Sequence, residues 1–295
     1  MSSTRITQRQ MVTNSLTAMQ TGFSRLNLSQ ERLSTGRMIN RPSDSPTGTN
    51  DAMRIRAQLA SDSQYARNAQ DGLGFMGTVD STMTSMLDQT NRARDLLVQA
   101  ASTGSTGADG RAAIAAELSQ IRESMISQAN TQYLGRPVFG GTTGGSVAYD
   151  ANGVFVGDTN DVNRTVGDGV SVKVNMAGPT AFSNGSDDLF DVISDAISDL
   201  STNPSNTGTN LTRLDNVMKS MKSAHADIGT RFGRVETSLT QLNSSTLDHQ
   251  SALSDIENVD MAKAMVDVQL QSVAYQAALG ATAKVIQPSL LDFLR

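Results

Sequence analysis

One apolar stripe constrains this chain more than any other feature. From residue 214 to 256, apolar side chains recur at alternating steps of four and three: Leu214, Met218, Met221, Ile228, Phe232, Val235, Leu239, Leu242, Leu253 and Ile256. His225, Thr246 and His249 fill the remaining positions, and no proline interrupts. That is heptad spacing, and it predicts a single long helix with one buried face. At about 1.5 Å per residue the helix would run roughly 63 Å. A helix of that length needs partners of comparable length. The bundle-seam candidates are therefore Leu214, Met218, Met221, Ile228, Phe232, Val235, Leu239, Leu242 and Leu253.

The same chain offers the partners. Val79, Met83, Met86, Thr90, Ala93, Leu97 and Ala100 keep heptad phase. A Ser/Thr/Gly loop follows, then Asp109 as a candidate N-cap, and Ile114, Leu118, Ile121, Met125 and Gln128 continue a second helix to about Tyr133. From 137 to 185 the period shortens towards two and glycine is dense. Asn152-Gly153 between Val147, Tyr149 and Val154, Phe155, Val156 predicts a type I′ hairpin, and residues 166–174 predict another turn and strand. Ser186-Asp187-Asp188 opens a short helix carrying Leu189, Val192, Ile193, Ile197 and Leu200.

Both ends of the chain carry a further amphipathic helix. Val12, Leu16, Met19, Phe23, Leu26, Gln30 and Leu33 form the first seam, which should stop near Thr35-Gly36. A connector with two prolines, 40–46, leads to the next helix. The long seam loses register between 254 and 260, where Ser254-x-x-Glu257 reads as a capping box and Asp260 as a second cap. A new phase then runs Met261, Met265, Val268, Ser272, Tyr275, Leu279, Thr282, Ile286. The expected fold is mainly α: a long antiparallel helical bundle with terminal coiled-coil helices and a small inserted β domain. Its segments are 1–46 (assembly helix and connector), 47–136 (bundle), 137–185 (β insertion), 186–256 (bundle) and 257–295 (assembly helix).

Composition removes several function classes. The net charge of −5 argues against nucleic acid and against anionic membranes as partners. Residues 1–41 are the exception, with six arginines and only Glu31 acidic. An Arg-bearing amphipathic N-terminus also fits a transit peptide or a membrane-surface helix, but strict heptad phase favours a helix–helix seam. No run approaches the ~20 apolar residues of a membrane span, and no secretory h-region is expected. With no cysteine there is neither a disulfide framework nor a thiolate site.

Gly72, Gly74 and Gly77 match G-x-G-x-x-G, but no buried strand precedes them, so a helix–helix joint is the better reading. His225 and His249 would lie about 36 Å apart on one helix and cannot share a metal. Asp150 and Asp158 lack the spacing and terminal Glu of a calcium loop. No nucleophile elbow, P-loop or H-E-x-x-H is present. The sequence predicts no enzyme, no cofactor and no metal.

The two ends carry a family resemblance. Arg5-Ile6-Thr7 with Glu31-Arg32-Leu33-Ser34-Thr35-Gly36-Arg37-Met38-Ile39-Asn40 resembles the N-terminal signature of the flagellin family. Asp255-Ile256-Glu257-Asn258-Val259-Asp260-Met261-Ala262 and Ser289-Leu290-Leu291-Asp292-Phe293-Leu294 resemble its C-terminal one. Within the family, Asn40-Arg41-Pro42-Ser43-Asp44-Ser45-Pro46 is nearer to the members that join hook to filament than to those that build the filament. Ser45 departs from the second Asp common there. The resemblance implies an extracellular structural subunit exported by the flagellar type III apparatus with the help of a cytoplasmic chaperone. It would form a homo-oligomeric ring between the other hook–filament junction protein and flagellin. The assembly interface would comprise Val12, Leu16, Met19, Phe23, Leu26, Leu33, Met265, Val268, Tyr275, Leu279, Ile286, Leu290, Leu291 and Phe293, on terminal helices that order only in the assembly.

Overall fold

The computed structural model describes residues 8–102 and 107–286. The fold is mainly helical with small two-stranded sheets, as the periodicities predict. The chain divides into two compact units, residues 61–245 and residues 1–60 with 246–295. Helices α2 (Pro46–Ala101) and α6 (Thr207–Glu257) contribute to both.

In unit 61–245, α2 and α6 run antiparallel. Asp80 meets His225 at 2.7 Å and Arg94 meets Asp215 at 2.6 Å. α3 (Ala108–Ala129) returns along α2, with Arg92 paired to Glu117 and Gln89 bonded to Ser124. Val79, Met83, Met86, Thr90, Ala93, Leu97 and Ala100 are all buried. So are Leu214, Met218, Met221, Ile228, Val235 and Leu242, while Phe232 and Leu239 pack at the edge of that core. Leu253, the last seam position, is half-buried and belongs to the other unit. His225 is held by Asp80, a helix-to-helix register pair rather than a metal ligand.

α2 is unbroken through Gly72, Gly74 and Gly77, which corrects the joint expected there. Two of these glycines serve close approach instead. A Cβ at Gly74 would lie 2.5 Å from the Tyr133 hydroxyl, and one at Gly72 3.1 Å from Val174. They let the β insertion lie directly on α2.

The insertion begins at the hairpin β1 (Gln132–Tyr133) and β2 (Arg136–Pro137). Leu134 and Gly135 both take positive φ, +50° and +78°, the geometry of a type I′ turn. A leucine there costs about 1 kcal/mol of backbone strain. Asn130 braces the next segment: its amide oxygen accepts from the Ala148 and Tyr149 amides, and its nitrogen donates to the Tyr149 carbonyl. The predicted type I′ turn at Asn152-Gly153 is corrected. Asp150 accepts from the Asn152 and Val154 amides, its carbonyl accepts from Gly153, and only Gly153 is left-handed. That is a three-residue loop ending in a glycine bulge.

β3 (Asn163–Gly167) and β4 (Val170–Lys173) form the second hairpin, followed by the short α4 (Gly178–Phe182). Fully buried Asn175 ties it back, accepting from Val162 and donating to the Asn160 carbonyl. α5 (Leu189–Thr202) closes the unit against α3.

The insertion's core is aromatic. The Phe139 and Phe182 rings meet at 4.7 Å with their planes tilted by 60°, and Tyr149 sits 4.9 Å from Phe190 and 5.4 Å from Phe155. Asp188 caps α5 by accepting from the Phe190 amide. Burial raises its carboxyl to about 6, opposed by that hydrogen bond. The Tyr149 hydroxyl has no hydrogen-bond partner, and burial pushes its pKa far up. Asp109 does not cap α3: Gly107 holds that position without a side-chain bond, and Asp109 lies in the first turn.

Candidate assembly interface

In unit 1–60 with 246–295, α1 (Gln8–Thr35) packs antiparallel on α7 (Met261–Ile286). The Phe23 and Tyr275 rings lie 5.8 Å apart, and a Cβ at Gly22 would stand 3.6 Å from the Tyr275 ring. α1 ends as the sequence predicts, at Gly36 in the left-handed region, with the Gly36 amide bonded to the Arg32 carbonyl.

The two joints read from the sequence, 36–46 and 254–260, are one structure. Arg37 and Asn258 form an antiparallel bridge, Met38 N–H donates to the Glu257 carbonyl at 2.7 Å, and Val259 N–H to the Gly36 carbonyl at 3.0 Å. The Glu257 carboxylate is buried and pairs with Arg56 at 2.7 Å. Breaking such a pair leaves a buried charge uncompensated. Asp44 accepts from the Asn40 and Arg41 amides, which hold its carboxyl below the ordinary range. Ser45 takes the N-cap of α2, with its hydroxyl accepting from Gly48 and Pro46 at the first helical position. The Ser45 hydroxyl therefore supplies a capping oxygen for α2.

The predicted capping box is corrected: Ser254 is inside α6, and its hydroxyl accepts from the Asn258 side chain. Asp260 caps α7, accepting from the Ala262 and Lys263 amides.

The predicted interface residues divide by face. Met19, Leu26, Leu33, Val268 and Tyr275 are half-buried in the α1–α7 pair, while Leu16, Phe23, Met265 and Leu279 are more exposed. Val12 and Ile286 lie on the described helices, but their side chains fall outside the described residues, as do Leu290, Leu291 and Phe293 entirely.

The structure adds residues that one heptad phase missed. Ala262, Val266, Leu270, Val273 and Ala277 recur at helical spacing on the side of α7 opposite Ala264, Val268, Tyr275 and Ala278. All five are exposed, Leu270 by 62%. The signal was an α7 apolar on two sides, which a single stripe cannot represent. Among the described residues no helix is long and apolar enough to cross a membrane, and no cluster of metal-ligating side chains occurs.

Comparison with known proteins bears on both ends. The model of the bacterial flagellin N-terminal helical region matches residues 6–143, and that of the bacterial flagellin C-terminal helical region matches 211–294, together well over half of the chain. The chain belongs to the flagellin family. It is similar to the flagellar filament 33 kDa core protein of Treponema phagedenis, 29% identical over 90% of this chain and 91% of that one. It is similar also to flagellar hook-associated protein 3 of Escherichia coli, 24% identical over 84% and 86%. Its fold matches a putative flagellar hook-associated protein from Vibrio parahaemolyticus at a TM-score of 0.66 and 20% identity, over 73% of this chain and 100% of that chain. This flagellin-family chain is a structural subunit of the bacterial flagellum, an extracellular appendage, and not an enzyme.

Proposed function

We propose that this flagellin-family subunit joins hook to filament, as a ring of identical copies seated between the other junction protein and the first flagellin. The observation that carries assembly is the doubly apolar α7. One side packs on α1, and the other, through Val266, Leu270 and Val273, has no cover within the described chain. A subunit stable alone would leave that face polar; one built into a polymer uses it.

The choice of junction over filament is supported by the connector 40–46, with Pro42 and Pro46, and by a fold shared along the whole length of the Vibrio hook-associated protein. The second reading, a filament subunit, is favoured by the 29% identity to a filament core protein. On the junction reading the assembly interface joins α1 (Val12, Leu16, Met19, Phe23, Leu26, Leu33) and α7 with the tail (Met265, Val268, Tyr275, Leu279, Ile286, Leu290, Leu291, Phe293), extended by the newly seen face of α7. A cytoplasmic export chaperone would hold the C-terminal segment before secretion.

Electron microscopy of a deletion strain separates the readings. Hooks that are present but bear no filament, with filament protein shed into the medium, is the junction outcome. Filaments that persist refute it, and purified protein that polymerises unaided into long filaments favours the second reading.

A further inference from the structure

Two asparagines in this chain precede glycine, Asn152 and Asn184. The side-chain amide of such an asparagine is open to attack by the backbone nitrogen of the next residue, because glycine has no Cβ to block the approach. The structure treats the two pairs differently.

Asn184 is held. Its side-chain oxygen accepts from the Ser186 and Asp187 amides at 2.9 and 2.8 Å, and Gly185 N–H donates to the Ser183 hydroxyl at 3.0 Å. Asn152 is exposed, and its side-chain amide makes no hydrogen bond within the described residues. Its main-chain carbonyl is gripped instead. The Arg122 guanidinium donates through Nε to the Phe190 carbonyl at 3.0 Å and through Nη2 to the Asn152 carbonyl. That carbonyl and the Gly153 nitrogen belong to one conjugated peptide unit. When the nitrogen loses its proton, the negative charge is shared with this oxygen, so a cation bonded to the oxygen favours the nucleophilic form. Two carboxylates stand close by. Asp150 accepts from the Asn152 and Val154 amides, and Asp188 interacts with Arg122. Both oppose new negative charge, but Arg122 alone bonds the oxygen that carries it.

We propose that Asn152 is a site of self-modification, at which the Gly153 nitrogen closes on Asn152 Cγ with Arg122 stabilising the deprotonated peptide. Hydroxide takes the Gly153 proton. The N–Cγ bond forms, the Cγ–Nδ2 bond breaks, and Nδ2 leaves as ammonia with a proton from water. A second water opens the cyclic imide at either carbonyl and leaves aspartate or isoaspartate. No oxidant or reductant enters. The Gly153 N–H first releases the Asp150 carbonyl, 3.0 Å away, a movement within the three-residue loop. Gly153 is seated so that a Cβ there would lie 2.7 Å from Phe190 Cβ. The longer backbone of an isoaspartate would therefore lift the loop from the aromatic core.

The test follows both pairs in one sample. The purified full chain is held at mildly alkaline pH, and peptide mass spectrometry measures the conversion of each amide to acid. In the folded protein Asn152 should convert at least about tenfold faster than Asn184, the effect of one pKa unit on the attacking amide. In denaturant, where the Arg122 contact is gone, the two rates should converge. Equal rates in the folded protein, or a faster Asn184, overturn the proposal. Arg122→Gln separates chemistry from anchoring. Loss of the charge should slow Asn152 about tenfold, whereas an arginine that only fastens the loop would, once removed, let Asn152 convert faster. An unchanged or faster rate in this variant overturns the role of Arg122. Should the variant not fold, the ratio in folded wild type against that in denaturant decides.

Discussion

In residues 61–245 the apolar positions of α2, α3, α5 and α6 converge on one continuous core, sealed by the aromatic rings of the insertion. In the other unit only Ala52, Ile55 and Ala264 are buried among the described apolar residues, while Met265, Val266, Leu270 and Val273 are exposed. Both regions use the same heptad spacing. The difference is in how many faces find a partner within the chain. One unit meets its own requirement for apolar burial; on the assembly reading proposed above, the other would complete its burial against a neighbouring subunit. On that reading residues 61–245 would fold before assembly, and the terminal pair would gain most of its stability from the polymer.

The widest test of that contrast pairs one substitution from each side. Phe190→Ala removes a fully buried ring and should cost the monomer about 3–5 kcal/mol in urea unfolding. Leu270→Asp should leave the monomer within about 0.5 kcal/mol of wild type, since exposed positions tolerate change. In the polymer the order inverts. A carboxylate on the uncovered face of α7 should reduce incorporation at least a hundredfold, because an unpaired charge would be buried there. Equal monomer losses from the two variants would erase the distinction between the units.

Most of the fold was readable because burial and period coincide where partners lie in the same chain. The 79–100 positions are buried, and along 214–242 Leu214, Met218, Met221, Ile228, Val235 and Leu242 are buried with Phe232 and Leu239 at the core's edge. What escaped has specific physical reasons. Gly72, Gly74 and Gly77 look like a break, yet α2 runs through them, and Gly72 and Gly74 are contact points for Val174 and Tyr133, residues far away in sequence. The Arg37–Asn258 bridge joins segments more than two hundred residues apart, and neither carries a strand pattern. On α7 a heptad template picks out one stripe, so Val266, Leu270 and Val273 read as incidental apolar residues. The site was therefore legible as a location but not as a set of faces.

A smaller effect separates the two units by pH. Asp188 is pushed up to about 6 by burial, from an ordinary value of 3.8. The folded form therefore holds its proton more tightly than the unfolded chain, and this group's contribution is fully present below about pH 4. It is lost as pH rises from there through about 6, a change on the order of 2 kcal/mol once partial solvent access is allowed for. Unfolding of residues 61–245 followed across that range should show this loss superimposed on the other carboxylates. Asp188→Asn should flatten it while keeping the α5 cap. A slope identical in variant and wild type would mean that Asp188 is solvated as an ordinary N-cap.

The finest test lies inside the same aromatic cluster. Tyr149 is 1% exposed, and its hydroxyl lies against Gly178 without a hydrogen-bond partner. Burying an unpaired hydroxyl costs about 1–3 kcal/mol, so Tyr149→Phe should raise the stability of the unit by about 1 kcal/mol after a small packing loss. The ring contacts with Phe155, Phe182 and Phe190 remain, and so does the environment of Asp188, so the pH slope above should be unchanged. Assembly should be unchanged too, because the cluster is internal to a unit that is already complete. A destabilised Tyr149→Phe would show that the hydroxyl is held by a bound water, and that the core of the completed unit is partly polar.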